Sequence, residues 1–103
     1  MSNSQVTAST LKLSYNSPLQ VPQNFSTVCD TTSQTTSILQ VQNLSSSFTL
    51  TFFVNAGSFT HEGSIPANDT TPWSVTQNFN GSKLTVANIS SEEATGQVTL
   101  LST

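Results

Sequence analysis

The chain has little charge and no arginine. Its 103 residues include two lysines, five acidic residues and one histidine, and the formal net charge at pH 7 is −3. Nucleic acids need clustered Lys or Arg for steering and counterion release, and anionic membranes need similar basic clusters. No apolar run approaches the roughly 18 residues of a membrane-spanning helix. We therefore expect no nucleic-acid partner and no membrane insertion.

Cysteine and histidine are scarce as well. With Cys29 as the single cysteine, an intrachain disulfide is impossible. Cys29 is either a small buried hydrophobe in a strand or an intermolecular crosslink between chains. A closed zinc site needs about four Cys or His ligands, and the chain offers only Cys29 and His61. We expect no metal and no other cofactor.

The residues needed for catalysis are also few. His61 would be the base of any nucleophilic triad, but no Gly-x-Ser-x-Gly elbow accompanies it. We expect His61 on an exposed strand. The adjacent acids Glu92 and Glu93 fall in a predicted turn, where their side chains would diverge. Scattered solubilising charge is therefore a better interpretation of the acids than a glycosidase pair. The sequence predicts that the protein is not an enzyme.

Uncharged polar residues make up half of the chain. Ser, Thr, Asn and Gln account for 52 of 103 residues. Five Asn-x-Ser/Thr sequons, at Asn24, Asn43, Asn68, Asn80 and Asn88, are expected by chance in this composition. Apolar residues recur at spacing two between the Thr, Ser and Gln residues, as in half-buried antiparallel strands. This periodicity predicts strands at 10–15, 19–28, 37–44, 48–55, 58–64, 73–79, 83–89 and 95–101.

Turn signals separate these segments. Asn80-Gly81 is the most specific signal, because a two-residue hairpin turn needs positive φ at both positions. Pro22 cannot donate to a strand ladder, so the second segment is an edge strand or is broken at Val21. A helix is favoured nowhere, and the Ser90–Ala94 stretch is interpreted as a turn between strands.

About eight short strands predict an all-β fold, an antiparallel β-sandwich or jelly roll. We assign residues 11–103 to this domain and residues 1–10 to an extended N-terminal arm. Phe48, Phe52, Trp73 and Phe79 are expected to fill the space between the sheets. Phe53 is out of phase with its neighbours and faces either a second buried surface or a partner.

Carbohydrate binding is one functional hypothesis. An exposed aromatic platform with neighbouring amide and acid groups binds sugars in many sandwich domains. Trp73 with Asn68, Asp69 and Gln77 would supply those groups. Trp73 also follows Pro72 directly and starts a strand, where an aromatic residue is commonly part of the core. Both interpretations of Trp73 stay open at this point.

Self-assembly is the other hypothesis. Low charge limits repulsion between identical neighbours, and open sandwiches expose strand edges that an extended arm can fill. Such a head-to-tail contact does not close on itself, so it yields filaments. The sequence therefore predicts a homopolymer whose donor arm consists of Ser2, Asn3, Ser4, Gln5, Val6, Thr7, Ala8 and Ser9.

Residues 37–103 resemble a known family. The segments 48–54, 64–67, 73–75, 83–86 and 95–100 are similar in pattern to the jelly-roll subunits of Bacillus endospore appendages. The resemblance implies a structural, pilus-like fibre built from stacked jelly rolls, with an N-terminal connector that enters the next subunit. It also implies a place on the spore or cell surface, with anchoring or tip proteins as further partners.

Two features of the N-terminal region bear on this resemblance. The best-known branch of the family carries connector cysteines that crosslink subunits, whereas residues 1–11 contain none. A non-covalent arm that complements a neighbour's sheet is therefore expected instead. Residues 1–10 also lack the basic start and apolar middle of a secretory signal. We expect synthesis in the cytoplasm, as for spore-surface proteins made in the mother cell.

Overall fold

The computed structural model describes residues 9–103, which form two packed β-sheets. Within this part of the chain the structure has nine strands and no helix. The strands are β1 (Thr10–Lys12), β2 (Leu19–Val21), β3 (Ser26–Asp30), β4 (Thr36–Asn43), β5 (Leu50–Ala56), β6 (Phe59–Ile65), β7 (Trp73–Asn78), β8 (Lys83–Asn88) and β9 (Gly96–Ser102). The predicted all-β sandwich is confirmed.

The strands are divided between a five-stranded and a four-stranded sheet. The five-stranded sheet has the order β1-β3-β8-β5-β6, and the four-stranded sheet has the order β2-β9-β4-β7. The pairs β5·β6, β4·β7, β3·β8 and β2·β9 are nested around the β5–β6 hairpin, as in one long hairpin folded over into two layers. All pairs of strands are antiparallel except β1 with β3, which is parallel. The antiparallel expectation was wrong for that pair alone.

The core lies between the sheets and is formed by the residues that alternate with Thr, Ser and Gln. Strand β4 shows the pattern, since Leu39 and Val41 are buried while Ile38 and Gln40, which alternate with them, are half-buried on the outer face. A Thr-rich outer face suits a strand because the branched Cβ fits a pleated surface. The largest fully buried side chain is Phe52 of β5.

The predicted 19–28 strand is broken near Pro22. Strand β2 ends at Val21 and β3 begins at Ser26, and the two belong to different sheets. Asn24, with φ 68°, and the bond from Phe25 N to Pro22 O form the turn between them. Strand β2 also lies at the edge of its sheet, so both outcomes expected for Pro22 occur together.

Two turns adopt the backbone conformation that their residues favour. Asn80 and Gly81 have φ values of 57° and 76°, and Ser82 N donates to Phe79 O. The predicted conformation is present, but this turn joins β7 to β8 in different sheets and not two strands of one hairpin. The β5–β6 hairpin is closed instead by Gly57-Ser58, with φ 62° at Gly57, as in a type II′ turn.

Phe48 is not a core residue. It is 36% exposed, and β5 begins two residues later at Leu50. The reason is a turn at the end of β4, in which Asn43 Nδ2 donates to Phe48 O and Ser45 Oγ accepts from Phe48 N. These bonds hold the Phe48 backbone in the loop, so its side chain lies outside the sandwich.

Candidate functional site

The two long sides of the sandwich differ. On one side, the segment from β1 to β2 passes from one sheet to the other and closes the gap with buried Leu13 and with Tyr15, whose hydroxyl hydrogen-bonds to Ser37 Oγ at 3.2 Å. On the other side, β6 and β7 are the last strands of their sheets. We call this second side the open side, and it is the candidate site for strand addition.

Aromatic residues fill the gap between the sheets at the open side. The His61 ring of β6 stacks on the Trp73 ring of β7, with centroids 4.6 Å apart and planes inclined by 13°. Phe52 lies beneath both rings, at 5.3 Å from Trp73 and 6.0 Å from His61. This cluster joins the two sheets through side chains. The outer backbone edges of β6 and β7 pair with no other strand of the described residues.

Gly63 makes this packing possible. Its register partner across the β5–β6 pair is Phe52. A Cβ at Gly63 would lie 3.0 Å from Phe52 Cζ and 3.0 Å from His61 Nε2. Strand β6 therefore has a glycine where the two rings approach its backbone.

The free edge of β6 has a defined set of backbone groups. In a two-residue hairpin the closing pair, here Ala56 and Phe59, exchanges both backbone hydrogen bonds, and the pattern then alternates along the strands. The N–H and C=O groups of Thr60, Glu62 and Ser64 consequently lie on the side of β6 away from β5. All three side chains are exposed.

Most of the predicted arm lies outside the described residues. Of the eight residues proposed as a donor, Ser2 to Ala8 fall in that part, and Ser9 O accepts a hydrogen bond from Ser26 N at 3.1 Å. Thr10, which we assigned to the arm, is the first residue of β1 and pairs with Ser26. The chain thus enters the sandwich at the edge strand farthest from β6.

Cys29 lies in the core. It is 4% exposed, and Cys29 Sγ donates weakly to Asp30 O at 3.6 Å. Burial, together with the neighbouring Asp30 carboxylate, raises the pKa of the thiol, and Lys12 acts in the opposite direction. Because the thiolate is the reactive form, this placement opposes an intermolecular crosslink and agrees with the buried-hydrophobe interpretation.

The residues of the sugar-platform hypothesis do not converge. Trp73 is half-buried, with His61 stacked against its ring, and packs on the core. Gln77 is four residues along β7, or about 13 Å away. Asn68 is exposed with φ 66°, and Asp69 Oδ1 accepts from Thr71 N at 2.9 Å within the same turn. His61, which we expected to be exposed, is half-buried against Trp73.

Two buried asparagines were missed by sequence reasoning. Asn88 Nδ2 donates to Val21 O and Ala94 O, both at 2.8 Å, and its Oδ1 accepts from Ser90 N and Ser90 Oγ. Asn43 likewise donates to Ile65 O and accepts from Ser45 N. Both residues begin an Asn-x-Ser sequon at the end of a strand, and this position was the available signal.

These turns also explain two exposed apolar side chains. Because the Asn43 side chain points inward, Leu44, the next residue, points outward and is 42% exposed. Ile89, between Asn88 and Ser90, is 45% exposed for the same reason. Both lie at the end of the sandwich where β1 begins, which we call the arm end.

Other kinds of site have little support. Residues 9–103 contain no group of three or more His, Cys, Asp or Glu side chains that could hold a metal ion. Over the same range no helix is long and apolar enough to cross a bilayer. An open surface hollow of about 360 Å³ is lined by Phe48, Thr51 and Glu92 at the arm end.

Comparison with known proteins adds no assignment: no family model, no curated protein and no solved structure matches this chain.

Proposed function

We propose that this chain is a structural subunit that polymerises into a fibre, with the N-terminal arm of one copy added as a strand to the open side of the next. The observation that carries the proposal is the order of the strands in the two sheets. The arm enters at β1, and the free edges of β6 and β7 lie at the opposite side of the sandwich. A contact between opposite sides of identical subunits is heterologous and propagates without closing.

Chain length favours an arm from another copy. Reaching past β6 from β1 means crossing about five strand positions, or roughly 24 Å at about 4.8 Å each. The proposed donor segment, residues 2–9, spans at most about 28 Å when fully extended. Within one subunit, that crossing would use almost the whole donor segment and leave almost none of it to pair with β6, which supports a donor from another copy.

The longer of the two free edges is the proposed acceptor. Strand β6 has seven residues and β7 has six. The outward backbone groups of Thr60, Glu62 and Ser64 provide the donors and acceptors for strand addition. The arm segment 2–9 is uncharged, so it adds no like charge beside Glu62.

The resemblance to endospore appendage subunits agrees with this proposal. The nested strand pairs support the jelly-roll topology that the resemblance implies. Within the proposal the fibre belongs on a spore or cell surface, with anchoring or tip proteins at its ends. Structural assembly also requires no catalytic residue or cofactor.

Deletion of residues 2–9 tests the proposal. The deleted chain should remain folded and form no filaments, while the full chain forms filaments visible by negative-stain electron microscopy. The matched control replaces residues 2–9 by a Gly-Ser sequence of equal length, which keeps chain length but removes the Val6 and Ala8 side chains. Filaments from the deleted chain would show that the arm is not the connector.

Sugar binding remains the second candidate and has a separate test. Trp73 is the only tryptophan, so its fluorescence reports on the proposed platform. We expect glycans to leave the emission unchanged, because His61 stacks on the ring and Phe52 packs against it. A saturable change with a glycan, lost in Gln77→Ala, would favour the lectin hypothesis.

A further inference from the structure

The outer face of the four-stranded sheet carries no charged side chain. Strands β2, β9, β4 and β7 contain no Asp, Glu, Lys or Arg. The four charged residues that lie in strands, Lys12, Asp30, Glu62 and Lys83, all belong to the five-stranded sheet. Charge is therefore sorted between the two faces of the sandwich.

Glutamines are aligned across this uncharged face. Gln20 of β2 is opposite Gln97 of β9, and Gln97 is opposite Gln42 of β4. Two residues further along, Gln40 is opposite Thr99, and two further still, Ile38 is opposite Leu101. We call this surface, formed by the outward side chains of the four strands, the glutamine face.

We infer that the glutamine face is a contact surface between two copies of this chain. Each Gln amide has two donor hydrogens and a carbonyl acceptor, so a surface of amides is complementary to itself. The Ile38 and Leu101 side chains add apolar area that a second copy would bury. Gln42 Nε2 already donates to Thr70 O at 3.5 Å, which leaves its carbonyl oxygen for the partner.

Charge favours a second copy over other occupants. The chain has a net charge of −3, and copies that meet through the glutamine face bring no strand charges together. A strongly charged partner would gain no ion pairs there and would lose hydration. A glycan would find no aromatic platform, because the one aromatic residue of these strands, Trp73, packs inward against the core.

The expected contact is weak for an isolated pair. Four strands about 4.8 Å apart and about six residues long give a footprint of roughly 400 Å². Standard stable interfaces bury about 800 Å² per partner. A weak dimer is therefore expected, and it would strengthen when many subunits in two filaments meet side by side.

The inference does not depend on the arm, and its test separates the two contacts. The full chain is made with Val6→Pro and Thr7→Pro, which remove backbone donors of both strand parities in the arm. Sedimentation equilibrium then measures dimerisation of this chain and of the same chain with Gln40→Glu added. The added change is isosteric and places a charge on the glutamine face. The matched control is Asn55→Asp, the same change of amide to acid on the outer face of β5.

We expect Gln40→Glu to raise the dimer dissociation constant by roughly tenfold or more, because like charges meet across the interface. Asn55→Asp should leave it unchanged. A second pair, Thr99→Glu and Thr85→Glu, repeats the comparison on the central strands β9 and β8, and near-UV circular dichroism checks the fold of each variant. A monomer up to about 1 mM, or equal weakening by both members of a pair, would overturn the inference.

Discussion

At the scale of single residues, the two buried asparagines hold the ends of strands in place. Each Asn side-chain amide donates hydrogen bonds to backbone carbonyl groups at or near the ends of strands. The Ser two residues later donates a hydrogen bond to the Asn side-chain oxygen. A buried carbonyl without a hydrogen bond costs about 1–3 kcal/mol. The sequons at Asn43 and Asn88 therefore have structural roles and are not products of composition alone, contrary to our sequence interpretation.

Asn88→Ala should lower the free energy of unfolding by about 3 kcal/mol, because Val21 O and Ala94 O lose their donor inside the protein. Urea denaturation followed by Trp73 fluorescence measures the change. The control is Asn55→Ala at an exposed position of β5, where a loss below about 0.5 kcal/mol is expected. Equal losses in the two variants would contradict the structural role of Asn88.

Burial of the Cys29 thiol makes stability depend on alkaline pH. Its pKa is higher in the folded chain than in the unfolded chain, chiefly because burial disfavours the thiolate. The stabilisation is therefore complete below the ordinary thiol pKa of about 8.5 and is lost as pH rises above it. We expect the free energy of unfolding to fall as pH rises above about 8.5.

Cys29→Ala is the control for this pH dependence. The variant is less stable at neutral pH because it leaves a small cavity, but its free energy of unfolding should fall less steeply as pH rises above about 8.5. Urea denaturation at several pH values measures both slopes. Equal slopes would mean that the thiol does not titrate differently in the folded and unfolded chains.

At the scale of strands, periodicity located the elements well because one face of each strand is buried. Alternation of apolar and polar residues depends only on that burial, so the predicted segments overlap all nine strands. The prediction from periodicity was wrong for Phe48, because the Asn43 and Ser45 side chains hydrogen-bond to its backbone and hold it in a turn. Such side-chain hydrogen bonds compete with strand formation and leave no trace in the hydrophobic pattern.

Pairing between strands could not be derived from the sequence in the same way. The parallel pairing of β1 with β3 and the stacking of His61 on Trp73 join residues 16 and 12 positions apart along the chain. Local pattern contains no information about which strands meet. For the candidate site, the sequence proposed the arm as donor and named Trp73 only for a sugar platform, and the open side becomes visible only once the order of the sheets is known.

A proline at the free edge of β6 tests the acceptor strand. Thr60→Pro removes an outward N–H and should shorten or abolish filaments, because a backbone donor to the arm is lost. Thr76→Pro makes the same substitution at an exposed threonine of β7, and filaments should persist. Filament length is measured by electron microscopy, and urea unfolding midpoints confirm that both variants are folded. The opposite pattern would move the acceptor edge to β7.

At the scale of the whole molecule, charge is unevenly distributed along the sandwich. The two lysines and two acids of the five-stranded sheet cancel. The remaining three acids, Asp69, Glu92 and Glu93, lie in the loops that follow β6 and β8, at the arm end. Two arm ends brought together would repel each other, whereas an arm end that meets the free edges of β6 and β7 of the next copy meets Glu62 as the one acid in those two strands. This distribution favours polar, head-to-tail filaments.

The charge at the arm end predicts how assembly responds to salt. Screening of like charges should speed assembly modestly, by roughly two- to fivefold between about 10 mM and 0.5 M salt, since the Debye length falls from about 30 Å to about 4 Å. Light scattering measures the rate. Glu92→Gln removes one acid from the arm end and should reduce the salt response, while Asp30→Asn, which removes one acid beside Lys83 at the other end of β3, should leave it as in the parent chain. A rate that falls steeply with salt in all three chains would mean that ion pairs hold the subunits together, in conflict with strand addition by an uncharged arm.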